Sequence, residues 1–184
     1  MSKDGIEVLV IGYTGAGKTV LIQKLSDYGS KIAKKTRSPP DSFFDFEFPP
    51  QPTTGSEFFK AQFSKTKIRF REIGGALRSI WATGLKNTNK VMFLIDSSSP
   101  QDVADAQCEL LELLGHPDSQ SLPFLIVLTK IDIESSLLLE EINNVLRLDM
   151  LEPEMKNRIR MTETSTKTHE NFDSIIDWLC LPLA

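Results

Sequence analysis

The sequence predicts an α/β fold with a mostly parallel sheet covered by helices on both faces, and three observations carry that prediction. Six short runs have strand composition and most of them alternate with helix-patterned segments. Two of the runs, residues 91–95 (Val-Met-Phe-Leu-Ile) and 124–128 (Phe-Leu-Ile-Val-Leu), are apolar throughout, as strands buried on both faces are. One pair of runs is close enough in sequence to form a hairpin, which predicts an antiparallel edge strand.

Taken in order, residues 6–11 (Ile-Glu-Val-Leu-Val-Ile) read as the first strand and enter a glycine-bearing turn. Residues 18–25 follow as a helix, with Val20, Leu21, Ile22 and Leu25 apolar. From residue 26 to 54 the periodicity disappears, and Pro39, Pro40, Pro49 and Pro50 predict a long mobile loop because paired prolines can join neither a ladder nor a helix interior. Residues 57–63 and 67–72 form the hairpin around Ser64, Lys65 and Thr66, and Gly74 with Gly75 ends it. After the strand at 91–95, Ser99 and Pro100 supply an N-cap and a first-turn proline for a helix over 101–114, stopped by Gly115. The strand at 124–128, a helix at about 136–146, a short strand at about 160–163 and an amphipathic helix at 171–180 complete the chain.

Length and charge bound the function. At 184 residues the chain is one domain. Twenty-one basic against 25 acidic residues give a net charge of -4, which argues against a nucleic-acid partner, since neutralising many phosphates needs a basic face. Cys108 and Cys180 lie far apart, and His116 and His169 are isolated, so neither a disulfide framework nor a zinc site is expected. No apolar run reaches the roughly 18–20 residues of a membrane span. Ser2 does not suit myristoylation, and Cys180 stands fifth from the end. A cytoplasmic monomer without a lipid anchor is the expectation. Cys108, spaced with Leu111, is expected to be a small buried hydrophobe, as Trp81 and Phe93 are expected to be core.

The sharpest chemical signal is Gly12-Tyr13-Thr14-Gly15-Ala16-Gly17-Lys18-Thr19 between a strand and a helix, a full match to the phosphate-loop pattern. The glycines let successive N–H groups and the helix N-terminus point at phosphate oxygens. Lys18 would reach the β- and γ-phosphates, and the Thr19 hydroxyl would ligate magnesium. The base is read elsewhere. Thr129-Lys130-Ile131-Asp132 follows a buried strand at the edge where ligands bind in open α/β sheets. Asp132 could accept hydrogen bonds from guanine N1–H and N2–H while the stem of Lys130 covers the ring; adenine offers no matching donors.

Together with Pro52-Thr53-Thr54-Gly55, Arg71-Glu72-Ile73-Gly74-Gly75, Ile80-Trp81 and Ser165-Thr166-Lys167, these residues make the chain resemble a Ras-superfamily small GTPase of the ADP-ribosylation-factor-like (Arf-like) family. The resemblance implies one Ras-like phosphate-loop domain over residues 1–184 with a six-stranded sheet, a long insertion in switch I at about 26–52, and GTP or GDP bound with magnesium. It implies that Thr53 joins the metal when the γ-phosphate is present, that the Gly75 N–H meets that phosphate, and that Lys18, Thr53 and Gly75 are the catalytic set. The loop at Ser165, Thr166 and Lys167 would contact guanine O6. An exchange factor, an activating protein and effectors would be the protein partners.

The departures bear on mechanism. Glu72 stands where the family has aspartate, which would need a shifted, water-mediated metal contact; with Thr19 and Thr53 it completes the implied metal set. Ala76 stands where the family places the glutamine that orients water, so hydrolysis should be slow or partner-dependent. Thr129 replaces asparagine and shortens the side chain that ties the base loop to the phosphate loop. The family's amphipathic N-terminal helix has no counterpart in the five residues before the first strand, and its effector-facing aromatic triad falls on Ser56, Arg71 and near Gly84. Phe43, Phe44, Phe46 and Phe48 in the insertion either bind a partner or fold onto the protein's own surface. A non-hydrolysing guanine-nucleotide-binding interaction protein is the alternative function, and a phosphate-loop kinase for a small metabolite is a third.

Overall fold

A computed structural model describes residues 5–33 and 52–183, with the side chains of 31–33 left aside. One sheet has the order β2-β3-β1-β4-β5-β6, built from β1 (Ile6–Gly12), β2 (Ser56–Phe63), β3 (Thr66–Ile73), β4 (Lys90–Asp96), β5 (Phe124–Thr129) and β6 (Ile159–Glu163). β2 runs antiparallel to β3, from Ser56 opposite Ile73 to Phe63 opposite Thr66. Every other pairing is parallel. The helices are α1 (Lys18–Ala33), α2 (Pro100–Gly115), α3 (Leu139–Leu146), α4 (Pro153–Lys156) and α5 (Phe172–Cys180).

The period-two alternation of β1 splits the core between two faces. Leu9 and Ile11 pack with Trp81, Phe93 and the buried side of α2, while Val8 and Val10 pack with Leu21, Ile22 and Leu25 of α1 and Ile175 and Leu179 of α5. Burial of each such side chain contributes about 1.5–3 kcal/mol. From β1 the chain passes to the edge strand β2, returns through β3 beside β1, and then crosses to β4 on the other side. That reversal leaves a crevice at the carboxyl end of β1, the place where open α/β sheets bind ligands.

The predicted hairpin and buried strands form, and the Ser99 hydroxyl accepts from the Asp102 N–H as the N-cap of α2. Four local expectations are corrected. α1 does not stop at Leu25 but continues to Ala33, so the segment assigned to the insertion begins with two further helical turns. Tyr28 packs edge-on against Phe172 and donates to Asp173 Oδ1 at 3.0 Å. Gly29 lets the helix lie close to β2, where a Cβ would come within 2.2 Å of the Phe63 ring. Cys108 is exposed, because the buried stripe of α2 is Val103, Ala106, Leu110, Leu113 and Leu114, with Leu111 turned outward. α3 starts at Leu139 and not at 136, since Ser136 closes a turn onto Ile133 O. The segment after Gly74 is a 3-10 stretch, Gly75–Leu85, kinked at Leu77; it and α4 have no counterpart in the sequence prediction. Residues 34–51, with Phe43, Phe44, Phe46 and Phe48, lie outside the described residues.

Lys90 opens β4, one residue ahead of the expected strand, and is 1% exposed. Its Nζ donates to the carbonyls of Trp178 at 2.7 Å, Leu179 at 3.0 Å and Leu181 at 2.8 Å. These acceptors are carbonyls at the end of α5, of which Trp178 O also accepts from the Leu181 N–H at 3.3 Å, and the helix dipole favours a cation there. Lys90→Met should cost about 2–4 kcal/mol, because a buried acceptor left without its donor loses about 1–3 kcal/mol. Burial lowers the lysine pKa to about 8, below the unfolded value near 10.4. Between about pH 8 and 10 the unfolded chain therefore holds a proton that the folded chain has released, and stability rises with pH. Urea unfolding at pH 7 and 9.5 should show that rise in the wild type and a smaller one in Lys90→Met.

Candidate functional site

The turn from β1 into α1 takes backbone angles that side chains resist. Gly12, Gly15 and Gly17 have φ of 145, 88 and 80°, and at Gly12 a Cβ would also fall 2.3 Å from Leu94 O. The turn delivers Lys18 into the crevice, where it is 6% exposed. Its Nζ donates to Gly12 O and Tyr13 O, each at 2.9 Å. An ammonium has three N–H donors, so one is left for a ligand. Burial pulls the Lys18 pKa down and the nearby Glu72 carboxylate pushes it back up.

Opposite this turn stand the ends of two other segments. Thr19 donates to Glu72 Oε1 at 2.8 Å, Thr53 donates to the same oxygen at 3.1 Å, and the two hydroxyl oxygens lie 3.3 Å apart. Glu72 is 1% exposed. Burial raises its pKa, opposed by the Thr19 hydrogen bond, the Lys18 charge and the Thr53 hydrogen bond. Its Oε2 is buried with no hydrogen-bond partner among the described residues. The Gly74 N–H donates to Gly55 O at 3.0 Å, and Gly75 approaches so closely that a Cβ there would lie 2.2 Å from Thr14 N. A cavity of about 160 Å³ is lined by Thr14, Gly15, Lys18, Thr53, Glu72 and Gly75, among others.

The second cluster of residues sits at the ends of β5 and β6. Thr129 is shorter than the asparagine expected there, yet its hydroxyl is 3.1 Å from Ala16 O and 3.1 Å from Ile95 O. The shorter side chain thus still ties this loop to the phosphate loop, because Thr129 is buried at the very end of β5. Lys130 has a positive φ of 63°, and its ammonium pairs with Asp96 Oδ2, a partner that the sequence did not reveal. Asp132 Oδ1 accepts from the Ser165 hydroxyl at 2.6 Å. Ser165 Oγ in turn accepts from the N–H groups of Lys167 at 3.1 Å and Thr168 at 3.2 Å. Thr166 O accepts from Lys24 Nζ at 2.7 Å, which fastens this loop to α1.

The sequence residues thus fall into two groups, Gly12 to Thr19 with Thr53, Glu72 and Gly75, and Thr129, Lys130 and Asp132 with Ser165, Thr166 and Lys167. The Thr129 contact with Ala16 joins them. Two supports were missed. The Trp81 indole N–H donates to Gly74 O at 3.3 Å, and its ring meets Tyr13 and Phe93 edge-on at 5.7 and 5.9 Å. Arg71 donates to Gly84 O, Lys86 O and Thr88 Oγ1 and pairs with Glu7, tying β3 to the end of the 3-10 segment. The pattern Gly-Gly followed by an apolar tryptophan could have signalled the first; nothing local signals the second.

The chain is similar to known proteins over nearly its whole length. The model of the ADP-ribosylation factor family, Arf, matches residues 1–182. Human ADP-ribosylation factor-like protein 16 is 28% identical over 171 residues, covering 93% of this chain and 83% of that protein. ADP-ribosylation factor-like protein 1 of Caenorhabditis elegans is 25% identical over 177 residues, covering 95% of this chain and 87% of that protein. Among solved structures, the Arl6 BBS3 small GTPase of Trypanosoma brucei, determined with the bound nucleotide analogue GppNp, superposes with a TM-score of 0.73 at 18% identity, over 95% of this chain and 94% of that one. A match over nearly the whole chain shows that it belongs to the ADP-ribosylation factor family of small GTPases, which bind guanine nucleotide.

Proposed function

We propose that this chain is a GTP/GDP-binding switch of the Arf-like type whose own hydrolysis of GTP is slow. The observation that carries the reading is the convergence of Lys18, Thr19, Thr53, Glu72 and Gly75 on one cavity at the phosphate-loop turn. The spare N–H of Lys18 would hold β- and γ-phosphate charge, assisted by backbone N–H groups from Gly15 to Thr19. The Gly75 N–H would meet the γ-phosphate. Asp132 would accept from guanine N1–H and N2–H, Lys130 would cover the ring, and a backbone N–H among Ser165, Thr166 and Lys167 would reach O6. A carboxylate in this role selects guanine over adenine by leaving itself unpaired with the wrong base.

Magnesium suits the donor set, which is all oxygen and includes a buried carboxylate with one orphaned atom. Thr19, Thr53 and Glu72 would hold it, and it would neutralise phosphate charge there. Because Thr53 and Gly75 come from separate segments, γ-phosphate contacts would order both, and their loss would release both. Ala76 is exposed beside Gly75 and has no group to orient a water, so a partner in trans would supply it. The regulators expected are an exchange factor and an activating protein, with effectors reading the two switches. Among the described residues no helix is long and apolar enough to cross a membrane, and we place the switch in the cytoplasm as a monomer.

The purified protein should release guanine nucleotide on chromatography, and should convert added GTP at or below about 10⁻⁴ per second, the order of an unassisted small GTPase. ATP, or no nucleotide, would sink the reading. Phosphate appearing on a small metabolite would favour a kinase instead.

A further inference from the structure

We propose that Glu72 is a direct ligand of the magnesium ion, and not the water-mediated contact that the family resemblance implies. The inference rests on the reading of the cavity as a magnesium and guanine-nucleotide site and adds to it a specific ligand. Three oxygens form a triangle there: Glu72 Oε1 is 2.8 Å from Thr19 Oγ1 and 3.1 Å from Thr53 Oγ1, and the hydroxyls are 3.3 Å apart. Around an octahedral magnesium with bonds of about 2.0–2.1 Å, neighbouring ligand oxygens are separated by about 2.9 Å. The triangle is close to one face of such an octahedron.

The side-chain length explains why. Aspartate at the same point of β3 would end one carbon–carbon bond, about 1.5 Å, short of Glu72. That gap leaves room for an intervening water; the glutamate closes it and brings its oxygen level with the two hydroxyls. The Lys18 ammonium is near enough to act on this carboxylate, but no cation is hydrogen-bonded to it among the described residues. Lys18 Nζ is committed to Gly12 O and Tyr13 O, and Glu72 Oε2 has no hydrogen-bond partner among the described residues. Burial disfavours a carboxylate charge in that condition, and a metal ion bound to it would offset that cost. Without metal, both hydroxyls donate to Oε1; with metal, they would turn their lone pairs to it. Glu72 thus holds Thr19 and Thr53 together in either condition.

The test counts waters. The protein is loaded with Mn²⁺ and a non-hydrolysable GTP analogue in ¹⁷O-enriched water, and the broadening of the Mn²⁺ resonance gives the number of coordinated waters. The wild type should show one, because two hydroxyls, two phosphate oxygens and Glu72 fill the other positions. Glu72→Asp should show two, and the free Mg²⁺ needed to retain bound nucleotide should rise roughly 10- to 100-fold, the usual penalty for disturbing a metal site. Two waters in the wild type would overturn the direct ligand and leave the switch intact. Failure to bind the analogue at all would instead overturn the nucleotide reading beneath it. The wild-type count stands whether or not the variant folds.

Discussion

The Lys18→Met variant is expected to bind guanine nucleotide about 10- to 100-fold more weakly than the wild type while keeping its fold. The one N–H left for a ligand makes a charge-assisted hydrogen bond to a phosphate oxygen, and such a bond contributes about 1.5–3 kcal/mol. The fold should survive because the lost terms oppose each other. Methionine leaves Gly12 O and Tyr13 O without the donor they have now, but it also removes an ammonium that burial already disfavours. The two effects separate in a thermal melt. At a nucleotide concentration of about 1,000 times the wild-type Kd, binding stabilises the wild type by about 4 kcal/mol. A hundredfold weaker variant would gain only about 1.4 kcal/mol from the same concentration, by the same relation. The apo forms should melt within a few degrees of each other. Equal nucleotide stabilisation in both proteins would remove Lys18 from the phosphate site.

What could be foreseen from the sequence, and what could not, divides by the range of the interaction involved. The turn from Gly12 to Thr19 was legible because its chemistry is local: three glycines, a lysine and a hydroxyl at fixed spacing, between a strand and a helix. The length of α1 was not. Ser26, Asp27, Gly29 and Ser30 are weak helix formers, and what keeps them helical is distant: Phe63 under Gly29 and Phe172 against Tyr28. On α2 the closely spaced Leu110, Leu111, Leu113 and Leu114 allow two apolar stripes. Only the position of β4 decides that Cys108 and Leu111 lie on the outer one. Thr129 makes the same point at the site. Judged by side-chain length it is too short, yet the sheet carries its hydroxyl to 3.1 Å from Ala16 O. Arg71 and Lys90 find their partners 13 to 91 residues away, beyond the reach of any pattern.

The Trp81→Ala variant is expected to lose about 3–5 kcal/mol of stability, the usual range for truncating a buried large aromatic side chain. It is also expected to lose preference for the triphosphate. Trp81 is 1% exposed, at the centre of the face that holds Leu9, Ile73 and Phe93. A domain of this kind has about 5–15 kcal/mol in all, so urea unfolding should show a large fall in the midpoint. The functional effect follows from the indole N–H. It holds Gly74 O, and Gly74 with Gly75 is the stretch pressed against Gly55 O and the Thr14 backbone. Tyr13 meets the same ring from the phosphate loop. Removing the indole therefore frees one of the two segments that would recognise a γ-phosphate, while Asp132 and Ser165 keep their own supports and the phosphate loop loses only the Tyr13 ring contact. Diphosphate affinity should change little and triphosphate affinity should fall toward it. Trp81→Phe isolates the hydrogen bond: it keeps most of the packing and loses one contact of 3.3 Å, for about 1 kcal/mol. If Trp81→Ala weakens the fold but leaves the ratio of triphosphate to diphosphate affinity unchanged, the tryptophan is core alone and Gly75 is positioned by the phosphate loop without it.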